Sequence, residues 1–369
     1  VQVALLTWNE DDSAQATVLP VTLSGEVTQV PDAAGQPCPQ LIYPNYGDWG
    51  FIKVALDART LTGIGRNLRR VEDPMLRSML WDSLWEMVRD ARLDLEVYAE
   101  IVFEALPGEA NEKVASQVAE NIGATMRYLW KLPEAMEPVL ADLGPRFEEL
   151  AWRQAVDAPN GSDLQTLWLD TYRRLAHTDA ALGRLERQLT GDAQLPVEAL
   201  DQDRRWLVLG RLNSFDRPGA LELAQAEQEN DPSDAGGQMF LSIQATRPGV
   251  ENKRAWLARI TDEESDLSLR RKRSVMGWLL SSYQWQEQAA LTDEILASLV
   301  ELGETQEDAF LNSYGTLIPR LHREDSVERL ERFIAEHPDL HPILMKRLLI
   351  ARQEDQRGLD ITRRLGEAR

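Results

Sequence analysis

The chain has 369 residues, 43% hydrophobic and 27% charged, which suits one to three domains with a substantial buried core. Its 40 Lys and Arg against 61 Asp and Glu leave a formal net charge of −21, which repels a phosphate backbone or an anionic membrane surface, so no nucleic-acid or membrane partner is expected. The single cysteine, Cys38 between two prolines, excludes an internal disulfide and a cysteine-based zinc site and reads as a loop residue.

The chain opens on Val1-Gln2-Val3-Ala4-Leu5-Leu6, with no initiator Met, basic leader or signal-peptide core, and reads as a piece of a longer polypeptide starting inside a strand. A cytoplasmic location is the expectation. Strand signals cover Val3 to Trp8 and Ala16 to Leu23, around the polar turn Asn9 to Ser13, and recur as alternation from Trp49 to Leu56. Loops rich in Pro and Gly between Pro31 and Asp48 place a domain boundary near residue 40, with 1–40 a β element and 41–369 helical.

From residue 61 onward helix follows helix. Asp73 and Pro74 supply an N-cap and first-turn proline for a helix whose apolar face is Leu76, Leu80, Leu84 and Met87, with Trp81 and Trp85 in a second row. Leu291, Ile295, Leu299 and Leu302, then Leu311, Tyr314, Ile318 and Leu321, repeat the spacing. No clean repeat period emerges, so the fold class is mainly α, an irregular superhelix of paired helices behind a small β element.

Catalytic patterns are scarce. His337 and His341 have metal-ligand spacing, but Pro338 stands where a zinc hydrolase needs Glu and breaks the helix that both ligands would share, so the pair reads as a turn between helices. Neighbouring carboxylates such as Glu148 and Glu149 point ~100° apart on a helix and read as a solvated acidic face. Trp81, Trp85, Trp168, Trp206, Trp256 and Trp278 lie in apolar stripes and read as core. The residues provide no catalytic centre and no metal site.

Several segments resemble one family. Tyr43-Pro44-Asn45-Tyr46-Gly47-Asp48-Trp49-Gly50-Phe51-Ile52-Lys53-Val54 is similar to the segment that opens the C-terminal domain of gluzincin aminopeptidases, the aminopeptidase N and puromycin-sensitive group. Arg77 with Trp81, Leu84-Trp85 and Val88-Arg89-Asp90 resembles an early helix of that domain in bacterial members. Asp203-Arg204-Arg205-Trp206, Asn230-Asp231-Pro232-Ser233-Asp234 with Gly236, Pro248 with Lys253 and Ala255-Trp256, and Leu344 to Leu349 with Arg352 and Asp355 follow in the family's order.

The resemblance implies HEAT- or armadillo-like helix pairs that close a peptide chamber, after the end of a β-sandwich. Its implied partners are the upstream catalytic and β-sandwich domains and peptide substrates. The implied cofactor is none in this chain and zinc in the parent's catalytic domain, because no residue here matches the family's His-Glu-x-x-His or Gly-x-Met-x-Asn motifs. A peptide held upstream by its N-terminus would bring its C-terminal carboxylate to this domain. Arg320, with Tyr314, is the candidate substrate-binding pair, since Gly315 and Pro319 interrupt a late helix there. The rival reading is a stand-alone helical scaffold for a protein partner.

Overall fold

The computed structural model describes residues 1–8, 14–191 and 200–367, and the chain folds into two compact units. The first comprises Val1–Thr125, Trp152–Trp168 and Arg363–Arg369, the second Met126–Ala151 and Leu169–Thr362. The turn expected at 9–13 lies outside the described residues.

In the first unit, β1 (Gln2–Trp8) is the middle strand of an antiparallel sheet between β2 (Ala14–Pro20) and β3 (Leu41–Tyr43). Val3 faces Leu19, and Leu6 faces both Ala16 and Leu41. The boundary expected near residue 40 is therefore crossed: the proline-rich stretch is a connection inside the sheet, and β3 returns beyond it. The strand expected over Trp49 to Leu56 is absent, because this extended segment is anchored to a helix instead of a neighbouring strand. The Leu56 amide donates to the Met87 sulfur at 3.2 Å and Lys53 pairs with Glu86 and Asp90, while Val54 and Leu56 are buried. Alternation reports a two-sided extended chain, and strand pairing requires a partner edge as well.

Helices α1 (Ala58–Leu68), α2 (Pro74–Arg89) and α3 (Leu95–Ala105) complete most of this unit, α3 packing on both α1 and α2. Asp73 caps α2 by accepting from the Met75 amide at 2.9 Å, and Leu76, Leu80, Trp81, Leu84 and Met87 are buried on its inner face. Arg77 forks onto Glu109 at 2.8 and 2.9 Å and donates to the carbonyls of Val71 and Glu72.

The chain continues through α4 (Glu112–Leu129), α5 (Glu137–Asp157), α6 (Asp163–Leu175), α7 (Asp179–Thr190), α8 (Gln202–Ser214), α9 (Ala220–Asn230) and α10 (Asp234–Thr246). It ends with α11 (Val250–Thr261), α12 (Leu269–Leu279), α13 (Trp285–Thr305), α14 (Asp308–Tyr314), α15 (Glu324–Glu336) and α16 (Pro342–Glu367). In the second unit α8, α10, α12 and α14 lie side by side, α11 packs on α13, and consecutive helices cross between the rows, as in stacked helix hairpins. Leu291, Ile295, Leu299 and Leu302 share one apolar cluster with Phe310, Leu311, Tyr314 and Ile318. The fold is mainly helical, as the periodicities predict.

Buried donors close the helix ends of this stack. Arg211 donates to the carbonyls of Ala176 and Leu175, at the end of α6, at 2.6 and 3.3 Å. Its guanidinium lies 4.5 Å from the ring centre of Tyr283, 4.7 Å from Phe215 and 5.6 Å from Trp130. Gln284 donates to Ser214 and Thr246, the last residues of α8 and α10, at 3.0 and 2.9 Å. Lys253 is 0% exposed, and its ammonium donates to the Ala245 carbonyl at 2.9 Å. Burial pulls its pKa from the ordinary 10.5 down to about 7, against the opposing pull of Glu287.

The family-like motifs serve the same end. Trp206 donates from Nε1 to Asp231 at 2.8 Å, Asp231 accepts from the Ser233 hydroxyl at 2.6 Å, and Ser233 caps α10. A Cβ on Gly236 would lie 2.3 Å from the Asp231 carbonyl oxygen, so only glycine fits there.

Replacing Arg211 with Ala removes both carbonyl contacts and three ring contacts, and should destabilise the chain by about 3 kcal/mol in urea titrations followed by Trp fluorescence. Arg211→Lys, lacking the planar face, should recover less than half. A loss under about 1 kcal/mol for Arg211→Ala would show the cage to be dispensable. For Lys253 the folded pKa lies below the unfolded one, so its burial costs most below about pH 7, and that cost fades as pH rises toward 10.5. Wild type should gain about 2 kcal/mol relative to Lys253→Met between about pH 7 and pH 9, and parallel stability curves would refute the shift.

Candidate functional site

The segment from Tyr314 to Arg320 belongs to the second unit. Tyr314 ends α14 and is 0% exposed. Its hydroxyl hydrogen-bonds Ser298 at 2.8 Å, its ring stacks on Phe310 at 5.6 Å, and burial pushes its pKa up to about 12. The expectation that Gly315 and Pro319 present Tyr314 to a ligand is not met by this placement. At Gly315 the side chain of Arg347 on α16 comes close: a Cβ there would sit 2.5 Å from its Cγ. A short 3₁₀ turn, Gly315–Leu317, then carries the chain to Arg320.

Arg320 is half-buried, with its Nε enclosed and without a hydrogen-bond partner. Burial lowers its pKa, opposed by Glu354 and Asp355. Its carbonyl accepts from the ammonium of Lys131, just beyond the end of α4. Lys131 is 6% exposed and its pKa falls to about 8, burial being the largest cause, with Asp355 opposing and Arg320 and Arg127 reinforcing.

Arg127, one turn before Lys131, is exposed, yet loss of hydration among surrounding atoms is the main influence lowering its pKa. The Arg320 charge adds to the effect.

His322 adopts φ 61°, a left-handed conformation unusual for a side-chain-bearing residue. Its ring packs over Gly358, where a Cβ would come within 2.2 Å of it, and lies 5.3 Å from the ring of Tyr128. Burial first, and then the charges of Lys131, Arg323, Arg320 and Arg127, hold its pKa well below the ordinary 6.5, so it is neutral at pH 7. Its Nδ1 is enclosed without a partner. Asp355, 0% exposed, accepts from the His322 amide and the Ser326 hydroxyl, which fixes the start of α15. Burial raises its pKa despite these bonds. Glu354 accepts from Tyr128 at 2.7 Å and from Arg357.

Other residues weighed from the sequence have structural places. His337 caps the end of α15, with Nδ1 2.9 Å from the Phe333 carbonyl, and a turn at 338–340 separates it from His341. Glu148 is not a solvated residue: it is 4% exposed and accepts from the amides of His177 and Thr178 at 2.6 and 3.0 Å, while Glu149 is half-buried. The ~100° step that separates adjacent helical side chains lets one turn inward and the other outward. Trp81, Trp168, Trp206 and Trp256 are buried, and Trp278 packs against the backbone at Gly210. Cys38 is exposed in its loop. Among the described residues no group of three or more His, Cys, Asp or Glu could hold a metal ion, and no helix is long and apolar enough to cross a membrane.

Residues 41–356 match the family described as ERAP1-like C-terminal domain. The chain is also 26% identical over 316 residues to Aminopeptidase N of Streptomyces lividans, an alignment covering 85% of this chain and 36% of that protein. It thus spans little more than a third of that relative's length. With the match running from the last strand of the sheet into the final helix, the chain belongs to the ERAP1-like C-terminal domain family.

Proposed function

We propose that this chain is the C-terminal helical part of a zinc-dependent aminopeptidase, where it closes the substrate chamber and governs which peptides enter. The observation that carries the reading is the family match across residues 41–356, supported by the identity to Aminopeptidase N of Streptomyces lividans. In this reading, zinc and the residues that activate water belong to an upstream catalytic domain. This chain supplies side chains that receive the far end of the peptide. The absence of a His-Glu-x-x-His motif from its sequence agrees with that division of labour.

Within the reading, Arg320 meets the peptide's C-terminal carboxylate, and Tyr314 acts indirectly by fixing the turn that carries Arg320. A guanidinium suits the task because it stays charged even where burial lowers its pKa and its two prongs match a carboxylate. The location of the assembled enzyme follows from segments outside this chain, and a cytoplasmic peptidase is the form the reading takes.

This polypeptide alone should hydrolyse no aminoacyl fluorogenic substrate, and chelator-sensitive activity restored by zinc would overturn the division of labour. In the full-length enzyme, Arg320→Ala should raise KM for peptides about tenfold and leave turnover of a short aminoacyl amide unchanged, since only the longer substrate reaches it. Equal losses on both substrates would point to misfolding. No loss on either would remove Arg320 from peptide binding.

A further inference from the structure

In the second unit, α13 and α15 leave a groove between them with a volume of about 460 Å³. That lies within the roughly 300–1,000 Å³ of small-molecule sites. Its floor is apolar: Leu296, Ala297 and Val300 share one stripe of α13, and Phe333 of α15 joins them. One end is closed by an ion pair between the two helices, Arg329 to Asp293 at 2.9 Å. At the other end the ring of Phe333 stacks on His337, with centres 4.1 Å apart and planes 24° from parallel. Nδ1 of His337 lies 2.9 Å from the Phe333 carbonyl, and a carbonyl oxygen can only accept, so Nδ1 carries the proton. Its Nε2 makes no hydrogen bond among the described residues and keeps its lone pair.

Arg332 and Glu336 line the same groove one turn apart on α15, and among the described residues neither forms an ion pair. Pairing is the rule around them: Arg329 takes Asp293, and Glu331 takes Arg352. What remains is one cation and one carboxylate, their Cβ atoms about 6 Å apart, beside an apolar floor. A zwitterion with an apolar substituent complements that pattern. The geometry points to a binding site for a free α-amino acid with an aromatic or large aliphatic side chain, seated in the groove between α13 and α15. Its carboxylate takes the Arg332 fork, its ammonium takes Glu336 and the Nε2 lone pair of His337, and its side chain lies on Leu296, Val300 and Phe333. The helix end favours this direction, because α15 finishes at Glu336 and its last carbonyls carry partial negative charge toward the ammonium. The site rests on these side chains alone. The function proposed above adds only a source for the ligand, the residue that an aminopeptidase releases.

The test is calorimetric titration of this chain with L-phenylalanine, L-phenylalanine amide and N-acetyl-L-phenylalanine. It reads no peptidase activity, so its failure leaves the proposed function standing, and failure of that function leaves the site standing. L-Phenylalanine should bind with a Kd of about 1 mM or tighter, and capping either of its charged groups should weaken binding at least about tenfold. In Arg332→Gln the free amino acid and its amide should bind alike, and in Glu336→Gln the free and acetylated forms should, because each variant removes the partner of the group that the probe lacks. Both residues are exposed, so neither substitution disturbs the packing of α15, and an unchanged far-ultraviolet circular dichroism spectrum verifies it. Val300, 38% exposed, offers a third variant: Val300→Trp fills the groove and should abolish binding. Binding of L-phenylalanine weaker than about 1 mM, capped forms that bind as well as the free amino acid, or a preference unchanged in Arg332→Gln and Glu336→Gln would overturn the site.

Discussion

Every α-helix ends with carbonyl groups that its own turns cannot satisfy, and a stack of helices turns many of these ends inward, away from water. In the second unit this constraint is met by long polar side chains reaching from later helices. Arg211 serves the end of α6, Gln284 serves α8 and α10 together, and Lys253 serves α10. Carboxylates do the reciprocal work at helix starts, with Glu148 before α7 and Asp355 before α15. The apolar faces supply most of the attraction between helices, while these groups select one arrangement among the many that would bury the same area.

The same device explains why charge sits in the interior of a domain so acidic on the whole. A buried lysine or arginine loses hydration, and only a firmly placed carbonyl, ring face or carboxylate compensates for it. Arg211 has all of its surroundings organised for that purpose, including three aromatic rings. Arg320 does not, and the contrast between these two arginines in one unit is what singles out its neighbourhood. Structural cations here are enclosed and partnered. Around Arg320, its own Nε and the Nδ1 of His322 are enclosed without partners.

Much of the fold was legible in the amino-acid order. The capped start of α2, the spacing of Leu291, Ile295, Leu299 and Leu302, and the inward Trp residues follow from periodicity and cap chemistry that act within a few residues. Readings that needed a distant partner failed. Alternation from Trp49 to Leu56 could not reveal that the edge beside it is a helix, and the burial of Glu148 depends on where His177 and Thr178 fall in the fold. Around the candidate residues, what was legible is the break in the helix: α14 ends at Tyr314 and a 3₁₀ turn follows before Arg320. Lys131 and Arg320 are separated by 189 positions, and no local signal could have brought them together. Tyr314 belongs to the same stripe as Leu311 and Ile318, and its burial follows from that periodicity.

The side chain that closes α8 and α10 at once, Gln284, lies beyond both helices and beyond the next two as well. Such long-range closure sets this architecture apart from consensus repeat arrays, in which a unit touches only its immediate neighbours and can be removed or duplicated as a block. Deleting the α11–α12 pair here would take away the lysine that serves Ala245 and displace the glutamine that seals two earlier helices, leaving buried carbonyls without donors. The helix pairs of this array are therefore not interchangeable blocks: each is tied to ends of helices outside its own pair.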